Sequence, residues 1–265
     1  MSHPLLAMEA HDLAALKMAY GYLEYPSLAA RLSNVLGTPI ETAMALLPPR
    51  WSRQLHSASE TAITRALEAA VDSLHRRREL VPHPGFYKGL VAGSGALGGF
   101  FGLPGLLVEI PVTTTLMLRA IAEIAREEGE TLTDPRSRAA CLEVFALGGR
   151  TEIDDAAETG YYGVRLALAG YLSSSLSAVL GGDSAAPALV GLVRAVAARF
   201  GVTLSQRAAA QLVPVIGAVG AATINTIFMQ HFQGMARGHF TVRRLERKYG
   251  PALVEANYEI LARNG

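Results

Sequence analysis

Residues 89–108 read GLVAGSGALGGFFGLPGLLV, and residues 211–236 read QLVPVIGAVGAATINTIFMQHFQGMA. Neither stretch contains a lysine, arginine, aspartate or glutamate. A helix of about twenty residues spans about 30 Å, the thickness of the hydrocarbon core of a bilayer. Small residues four positions apart, such as Gly98 and Gly102, let helix backbones approach closely. The two stretches therefore predict close-packed apolar helices that insert into a membrane, span it, or form the buried core of a bundle.

The rest of the chain carries frequent signals for helix starts and stops and few strand signals. Residues 38–41, TPIE, have the pattern of a capping box. Proline and glycine mark further boundaries: helices are predicted to begin around Asp134-Pro135, Ala186-Pro187 and Gly250-Pro251, and to stop at Gly129, Gly148-Gly149 and Gly201. We therefore predict an all-α, multi-helix bundle of about ten helices, with the two glycine-rich apolar segments packed centrally.

The composition is that of an apolar chain with little net charge. Of its 265 residues 50% are hydrophobic, and the formal net charge is +1, which gives no reason to expect a nucleic-acid partner. Cys141 is the only cysteine, so no internal disulfide can form, and the first residues lack the pattern of a secretory signal. We expect a cytoplasmic protein, peripheral on the inner membrane. The N-terminal helical region, residues 1–80, and the core, residues 81–265, are expected to form one continuous domain.

Four segments together resemble the EcsC family of bacterial proteins. They read GALGGFFGLPGLLVEIPVTTTLMLRAIAEIAREEG (95–129), CLEVFALGG (141–149), YYGVRLALA (161–169) and VPVIGAVGAATINTIFMQHFQGMARGHFTVRRLERKYG (213–250). In the family an acidic residue two positions before a proline follows the glycine-rich stretch, and Glu109 and Pro111 are similar to these positions. Arg119, Gly129 and Asn225 resemble further family positions. The acidic residue is often aspartate, so Glu109 departs mildly from the pattern.

This resemblance implies an all-helical fold and a link to membrane processes such as transport and secretion. The family takes its name from a gene beside an ABC transporter operon and has no well-established biochemical activity. The expected partners are a membrane lipid or a membrane protein, with an ABC transporter as one example.

Glu109 is the candidate centre of a ligand site. It interrupts an apolar run, and a buried carboxylate needs a partner because leaving it unpaired costs several kcal/mol. Arg119 and Asn225 are its predicted partners. We predict that Glu109, Arg119, Asn225 and His231 bind a headgroup or a small ligand. A structural ion pair between helices is the alternative, and it is favoured because structural networks also use such pairs.

Six residues near the apolar stretches are predicted to contact a membrane: the apolar Phe100, Phe101, Leu103 and Leu106, and the basic Arg243 and Arg244. Cations close to an anionic bilayer bind headgroups with about 1 kcal/mol per charge. The alternative for the two arginines is a solvated helix face, because Glu246 alternates with basic residues there.

No motif predicts catalysis, a metal site or a cofactor. Cys141 lies among apolar neighbours, where a cysteine usually behaves as a small hydrophobic residue, and neither HExxH nor CxxC occurs. The predicted function is a non-enzymatic, membrane-associated module that binds lipid or a membrane partner. One alternative is a small hydrolase acting on a lipid or peptide through Glu109, His231 or Cys141. Another is a soluble scaffold or regulator of a membrane transporter, and homo-oligomerisation stays open.

Overall fold

The computed structural model describes residues 8–25, 27–75, 102–149, 160–181, 186–213 and 217–264. These residues form ten α-helices and no strand, which confirms the predicted all-α bundle. In chain order the helices are α1 (Ala10–Glu24), α2 (Leu28–Leu36), α3 (Ile40–Ala45), α4 (Pro49–His75), α5 (Gly102–Glu127), α6 (Pro135–Leu147), α7 (Tyr161–Gly181), α8 (Ala186–Gln211), α9 (Gly217–Tyr249) and α10 (Pro251–Asn264).

Helix α6 lies at the centre of the bundle. Every residue from Ala140 to Leu147 is buried, and α6 packs against α4, α5, α7, α8 and α9. This stretch is buried around its whole circumference, the polar Glu143 included, so other elements have to surround it. Its predicted start is confirmed: Pro135 occupies the first turn, and the Asp134 carboxylate accepts a hydrogen bond from the Arg136 amide at 2.8 Å.

Two of the predicted glycine stops are correct and one is wrong. Helix α5 ends before Gly129, whose φ of 82° favours glycine, and α6 ends at Leu147, before Gly148. Helix α8 instead continues through Gly201 to Gln211. A Cβ on Gly201 would lie 3.5 Å from the hydroxyl oxygen of Ser59 on α4. That distance is an ordinary van der Waals contact, so Gly201 lies where α4 and α8 meet and does not end the helix.

The capping box predicted at residues 38–41 does not form. Pro39 is the N-cap of α3, and no side chain caps this helix end from that position. The amide of Ile40 donates instead to the hydroxyl oxygen of Ser33 on α2 at 2.9 Å. A serine from the preceding helix therefore satisfies the amide, which makes the hydroxyl of Thr38 unnecessary there.

The described part of the second glycine-rich stretch lies in α9, a helix of 33 residues. Helix α9 packs against α1, α5, α6 and α10. A Cβ on Gly238 would lie 2.6 Å from Leu23 Cγ, so α1 and α9 approach closely at this glycine. The end of the first stretch forms the start of α5, which packs against α9, while residues 89–101 lie outside the described residues.

Ion pairs join Glu128 and Glu130, in the turn between α5 and α6, to Arg243 and Arg244 of α9, and we call this set the ionic clamp. Arg243 donates to both carboxylate oxygens of Glu130, at 2.9 and 3.2 Å, and Arg244 donates to Glu128 at 2.7 Å. Arg243 and Arg244 were predicted to contact a membrane. In the folded chain acids from another segment neutralise both of them, so neither carries a free charge for a lipid headgroup.

The same clamp includes Asp12 of α1, and its charge predicts an acid-sensitive fold. Asp12 accepts hydrogen bonds from Lys248 at 2.7 Å and from the Tyr249 hydroxyl at 2.8 Å, and these bonds lower the pKa of Asp12 to about 2. A carboxyl whose pKa is lower when folded stabilises the fold above its unfolded pKa of about 3.9. We expect the free energy of unfolding to decrease as the pH falls from roughly 4 to 2.

Urea unfolding at a series of pH values measures this dependence. The Asp12→Asn variant should lose part of the decrease between about pH 4 and pH 2, because an amide does not titrate there. If the variant and the parent chain showed the same pH profile, the clamp would not contribute to stability through Asp12.

Candidate functional site

A surface pocket of about 620 Å³ lies between α1, α2 and α9. We call it the cationic pocket. One side is formed by α1, by Tyr25 directly after it and by Arg31 of α2. The other side is formed by α9 and consists of Gln230, His231, Gln233, Gly234 and Arg237. Most of these α9 residues recur at intervals of three and four, so they share one helix face. The pocket is therefore built on two long, packed helices rather than on loops.

Two glycines make room for the pocket. Around Gly21 of α1 no atom lies within 4 Å of the place where a Cβ would stand. Gly234 faces α1 from α9, since a Cβ there would lie 3.4 Å from the ring of Tyr22. Side chains at these two positions would occupy the space between the helices, so the glycines keep the pocket open.

Two arginines give the pocket a positive charge that its lining does not neutralise. The lining residues include no aspartate or glutamate. Arg31 donates from Nη2 to Gln230 Oε1 at 2.8 Å, and partial burial without an acid partner lowers the pKa of Arg31. Arg237 is exposed and makes no ion pair within the described part of the chain. The pocket is therefore suited to an anion.

Two nearly buried polar side chains of the pocket have unused hydrogen-bonding groups. His231 Nε2 lies 3.0 Å from the carbonyl oxygen of Gly148, which can only accept, so Nε2 carries the proton. Burial lowers the pKa of His231 to about 4, and at neutral pH the ring nitrogen Nδ1 is an acceptor. Gln233 is 5% exposed and makes no hydrogen bond to any described residue. Both groups are available to a ligand.

The α1 side of the pocket has an exposed, largely apolar rim. Met18 is 64% exposed, and Tyr22 and Tyr25 are 43% and 65% exposed. Large side chains that stay exposed beside a pocket are typical of a surface that meets another molecule. Tyrosine is also enriched where a protein meets the boundary between lipid and water.

A second polar cluster, the buried polar centre, lies where α5, α8 and α9 meet. Arg207 is fully buried and donates from Nη2 to Glu109 Oε1 and to Asn225 Oδ1, each at 2.6 Å. The Thr113 hydroxyl donates to the same Glu109 oxygen at 2.9 Å. The guanidinium also lies 5.1 Å from the centroid of the Phe228 ring. Glu109 is therefore buried and paired, but with Arg207 rather than with either predicted partner.

Polar atoms of this centre remain without a hydrogen-bond partner in the described ranges. They are Glu109 Oε2, Arg207 Nε and Nη1, and Asn225 Nδ2. A buried polar group left unpaired costs about 1–3 kcal/mol, so the centre is under-satisfied for its burial. Its geometry nevertheless fits the alternative given for Glu109 from the sequence, an ion pair that joins helices.

The predicted ligand residues do not converge on one site. Arg119 is exposed on α5. It follows Glu109 by ten residues, which at about 100° each leaves the two side chains about 80° apart around the helix axis. Helix α5 continues through Pro111. His231 lines the cationic pocket, while Asn225 belongs to the buried polar centre. The sequence therefore identified members of two sites and combined them as one.

Of the four apolar residues predicted to contact a membrane, only Leu106 has a side chain within the described residues. Leu106 is fully buried in the core, so it is not a contact residue of the folded surface. Phe100, Phe101 and the side chain of Leu103 lie outside the described residues. In the described part, one helical segment, Pro104–Glu127, is long and apolar enough to cross a membrane, and 56% of its most apolar window is buried. Core helices of many bundles have the same properties.

Cys141, His231 and Glu109, the residues of the hydrolase alternative, each contact other groups rather than one another. Burial raises the pKa of Cys141 to about 12, so it stays a thiol at neutral pH. His231 is bonded to Gly148, and Glu109 is bonded to Arg207. No hydrogen bond or ion pair joins the three side chains within the described ranges, and no cluster of metal-binding side chains occurs there.

Several residues of both sites were not identified from the sequence. Arg207 had a detectable signal, because it is the only charged residue between Arg199 and Arg237. An isolated charge in so long an apolar region is expected to have a buried partner. Arg31 and Gln233 had no comparable signal. Their role can be recognised only from the packing of α2 against α9, which places both residues in one pocket.

A model of a protein family, described as the EcsC protein family, matches residues 25–245. No curated protein and no solved structure matches the chain. The matched region contains the whole buried polar centre and the α2 and α9 sides of the cationic pocket. The α1 side of the pocket, apart from Tyr25, precedes it.

Proposed function

The chain belongs to the EcsC protein family, and we propose that it is a membrane-associated binding module, without catalytic activity, whose cationic pocket binds an anionic lipid headgroup. The observation that carries the proposal is that Arg31 and Arg237 both line the pocket, whose lining contains no aspartate or glutamate. Basic side chains near an anionic membrane contribute about 1 kcal/mol each to binding. Arginine also matches the geometry of phosphate oxygens with two parallel donors.

The rim of the pocket supports a lipid rather than a free anion. Met18, Tyr22 and Tyr25 are exposed beside the two arginines. A phospholipid presents an anionic phosphate next to apolar chains, so it complements a pocket of this composition on both counts. The rim would lie at the level of the headgroups, with α1 and α9 packed on the protein side. The chain would then be peripheral to the membrane.

Removing the two pocket arginines should weaken binding to anionic vesicles. For Arg31→Gln together with Arg237→Gln we expect a loss of about 2 kcal/mol, which corresponds to roughly thirtyfold weaker binding. Vesicle flotation with the full chain measures this, with anionic phospholipid mixed into phosphatidylcholine. High salt should release part of the bound parent protein, because it screens the charge interaction.

The matched control is Arg194→Gln, which removes an exposed arginine of α8 that does not line the pocket. A second pair of variants tests the pocket by shape. Gly21→Leu fills the open space beside α1 and should block binding, whereas Gly170→Leu adds the same side chain at another open helix position. Equal binding of parent and double-arginine variant, or equal binding to neutral and anionic vesicles, would contradict the proposal.

A further inference from the structure

The cationic pocket contains a hydrogen-bond acceptor that a simple anion cannot use. The His231 ring donates from Nε2 to the Gly148 carbonyl oxygen, and its Nδ1 has no partner in the described chain. An unprotonated Nδ1 repels a phosphate oxygen and requires a donor from the ligand. The low pKa of His231, about 4, agrees with this protonation state at neutral pH. A ligand complementary to the pocket therefore brings a donor as well as an anion.

Gln233 points to the same requirement. Its side chain lines the pocket and is only 5% exposed, and it makes no hydrogen bond with the described residues. An amide group both donates and accepts, so it suits a hydroxyl group, which does the same. Its polar atoms lie at the pocket surface, so a ligand that enters the pocket can pair with the amide without displacing a bond within the described chain.

The donor on the ligand is a hydroxyl rather than an ammonium group. An ammonium group would enter a lining that already holds Arg31 and Arg237 and includes no carboxylate. Like charges at close range are unfavourable, and more so in a partly desolvated pocket. A hydroxyl donates to Nδ1 without adding charge.

We infer that the pocket, in the function proposed above, selects a phosphate ester whose alcohol carries a free hydroxyl, as in a glycerol headgroup. The phosphate lies against Arg31 and Arg237, and the hydroxyl pairs with His231 Nδ1 and the Gln233 amide. Gln230 positions Arg31 for this ligand, because its Oε1 accepts from Arg31 Nη2 at 2.8 Å.

The test compares headgroups at equal surface charge. Vesicles contain phosphatidylcholine with the same fraction of either phosphatidylglycerol or phosphatidylserine, which have the same net charge. The serine headgroup has an ammonium and a carboxylate group in place of the free hydroxyls of glycerol. We expect binding to phosphatidylglycerol to be about fivefold tighter, the ratio expected for one net hydrogen bond. Glycerol 1-phosphate in solution should likewise bind more tightly than inorganic phosphate, as measured by calorimetry.

Gln233→Met separates recognition from folding. Methionine has a similar shape, and Gln233 has no partner to lose among the described residues, so the melting temperature should stay the same or rise. The preference for the glycerol headgroup should fall by about fivefold. Gln54→Met, on the exposed side of α4, is the control and should change neither quantity.

The outcomes distinguish this inference from the proposed function. Equal binding to both anionic vesicles, with no gain for glycerol 1-phosphate over inorganic phosphate, would overturn the hydroxyl inference and leave headgroup binding intact. A retained preference in Gln233→Met would overturn it as well. Tighter binding of glycerol 1-phosphate without binding to any anionic vesicle would support the hydroxyl inference and contradict the membrane function.

Discussion

Replacing Glu109 by alanine should lower the free energy of unfolding by about 3–5 kcal/mol, the usual cost of removing one partner of a buried ion pair. Arg207 is fully buried, and its Nη2 group is shared between Glu109 and Asn225 at 2.6 Å each. Without Glu109 the guanidinium keeps an amide oxygen but has no anion. The cost therefore comes from the charge left behind more than from the contact that is lost. Urea or guanidinium unfolding measures it.

A double-mutant cycle tests this explanation. Glu109→Met combined with Arg207→Met replaces both charges by apolar side chains, so it should recover much of the loss in the single variants. Glu127→Ala removes an exposed carboxylate from the same helix and should change stability by less than about 0.5 kcal/mol. Independent, additive effects of the two single substitutions would show that the pair does not act as a unit.

Replacing Gly149 by alanine should also be severe, with a loss of about 3 kcal/mol or more. A Cβ at this position would lie 2.1 Å from the carbonyl oxygen of Arg199 and 2.6 Å from its carbonyl carbon. Both atoms belong to the backbone of α8, so no side-chain rotation can remove the overlap. The end of α6 and the middle of α8 would have to separate, and that disturbs the helix at the centre of the bundle.

The control for this substitution is Gly170→Ala on α7, where no atom lies within 4 Å of the added Cβ. Alanine is a better helix former than glycine, so this variant should gain about 0.5–1 kcal/mol. Thermal unfolding of the two variants side by side gives the comparison. A stable Gly149→Ala variant would mean that α6 and α8 are less closely packed at this point than the structure shows.

The features that the sequence predicted well are those with local causes. Asp134 and Pro135 define a helix start by their own side chains, and Gly129 ends a helix because its φ is positive. Gly201 looked the same in sequence, but α8 continues through it, and no local pattern distinguishes it from Gly129. The capping box does not form for a related reason, because the hydroxyl of Ser33 on another helix accepts the hydrogen bond of the Ile40 amide.

The sites were harder to predict because their parts are distant in sequence. Glu109 was correctly expected to need a partner, but its partner Arg207 lies 98 residues later, on another helix. Arg31 and Gln230, which are hydrogen-bonded to each other in the pocket, are 199 residues apart. Burial and charge can be inferred from one segment. The pairing of two segments depends on how the helices pack, and the local patterns of a single sequence do not reveal that packing.

Helix α9 carries groups of the buried polar centre, the cationic pocket and the ionic clamp on one uninterrupted helix. Asn225 belongs to the buried polar centre, Gln233 and Arg237 to the cationic pocket, and Arg243 and Lys248 to the ionic clamp. A helix turns by about 100° per residue, so inserting or deleting one residue within α9 would rotate everything beyond it by that angle. Arg243 would then turn away from Glu130. Changes in chain length among relatives should therefore fall in the turns, while the span of α9 from residue 225 to residue 248 keeps a constant number of residues.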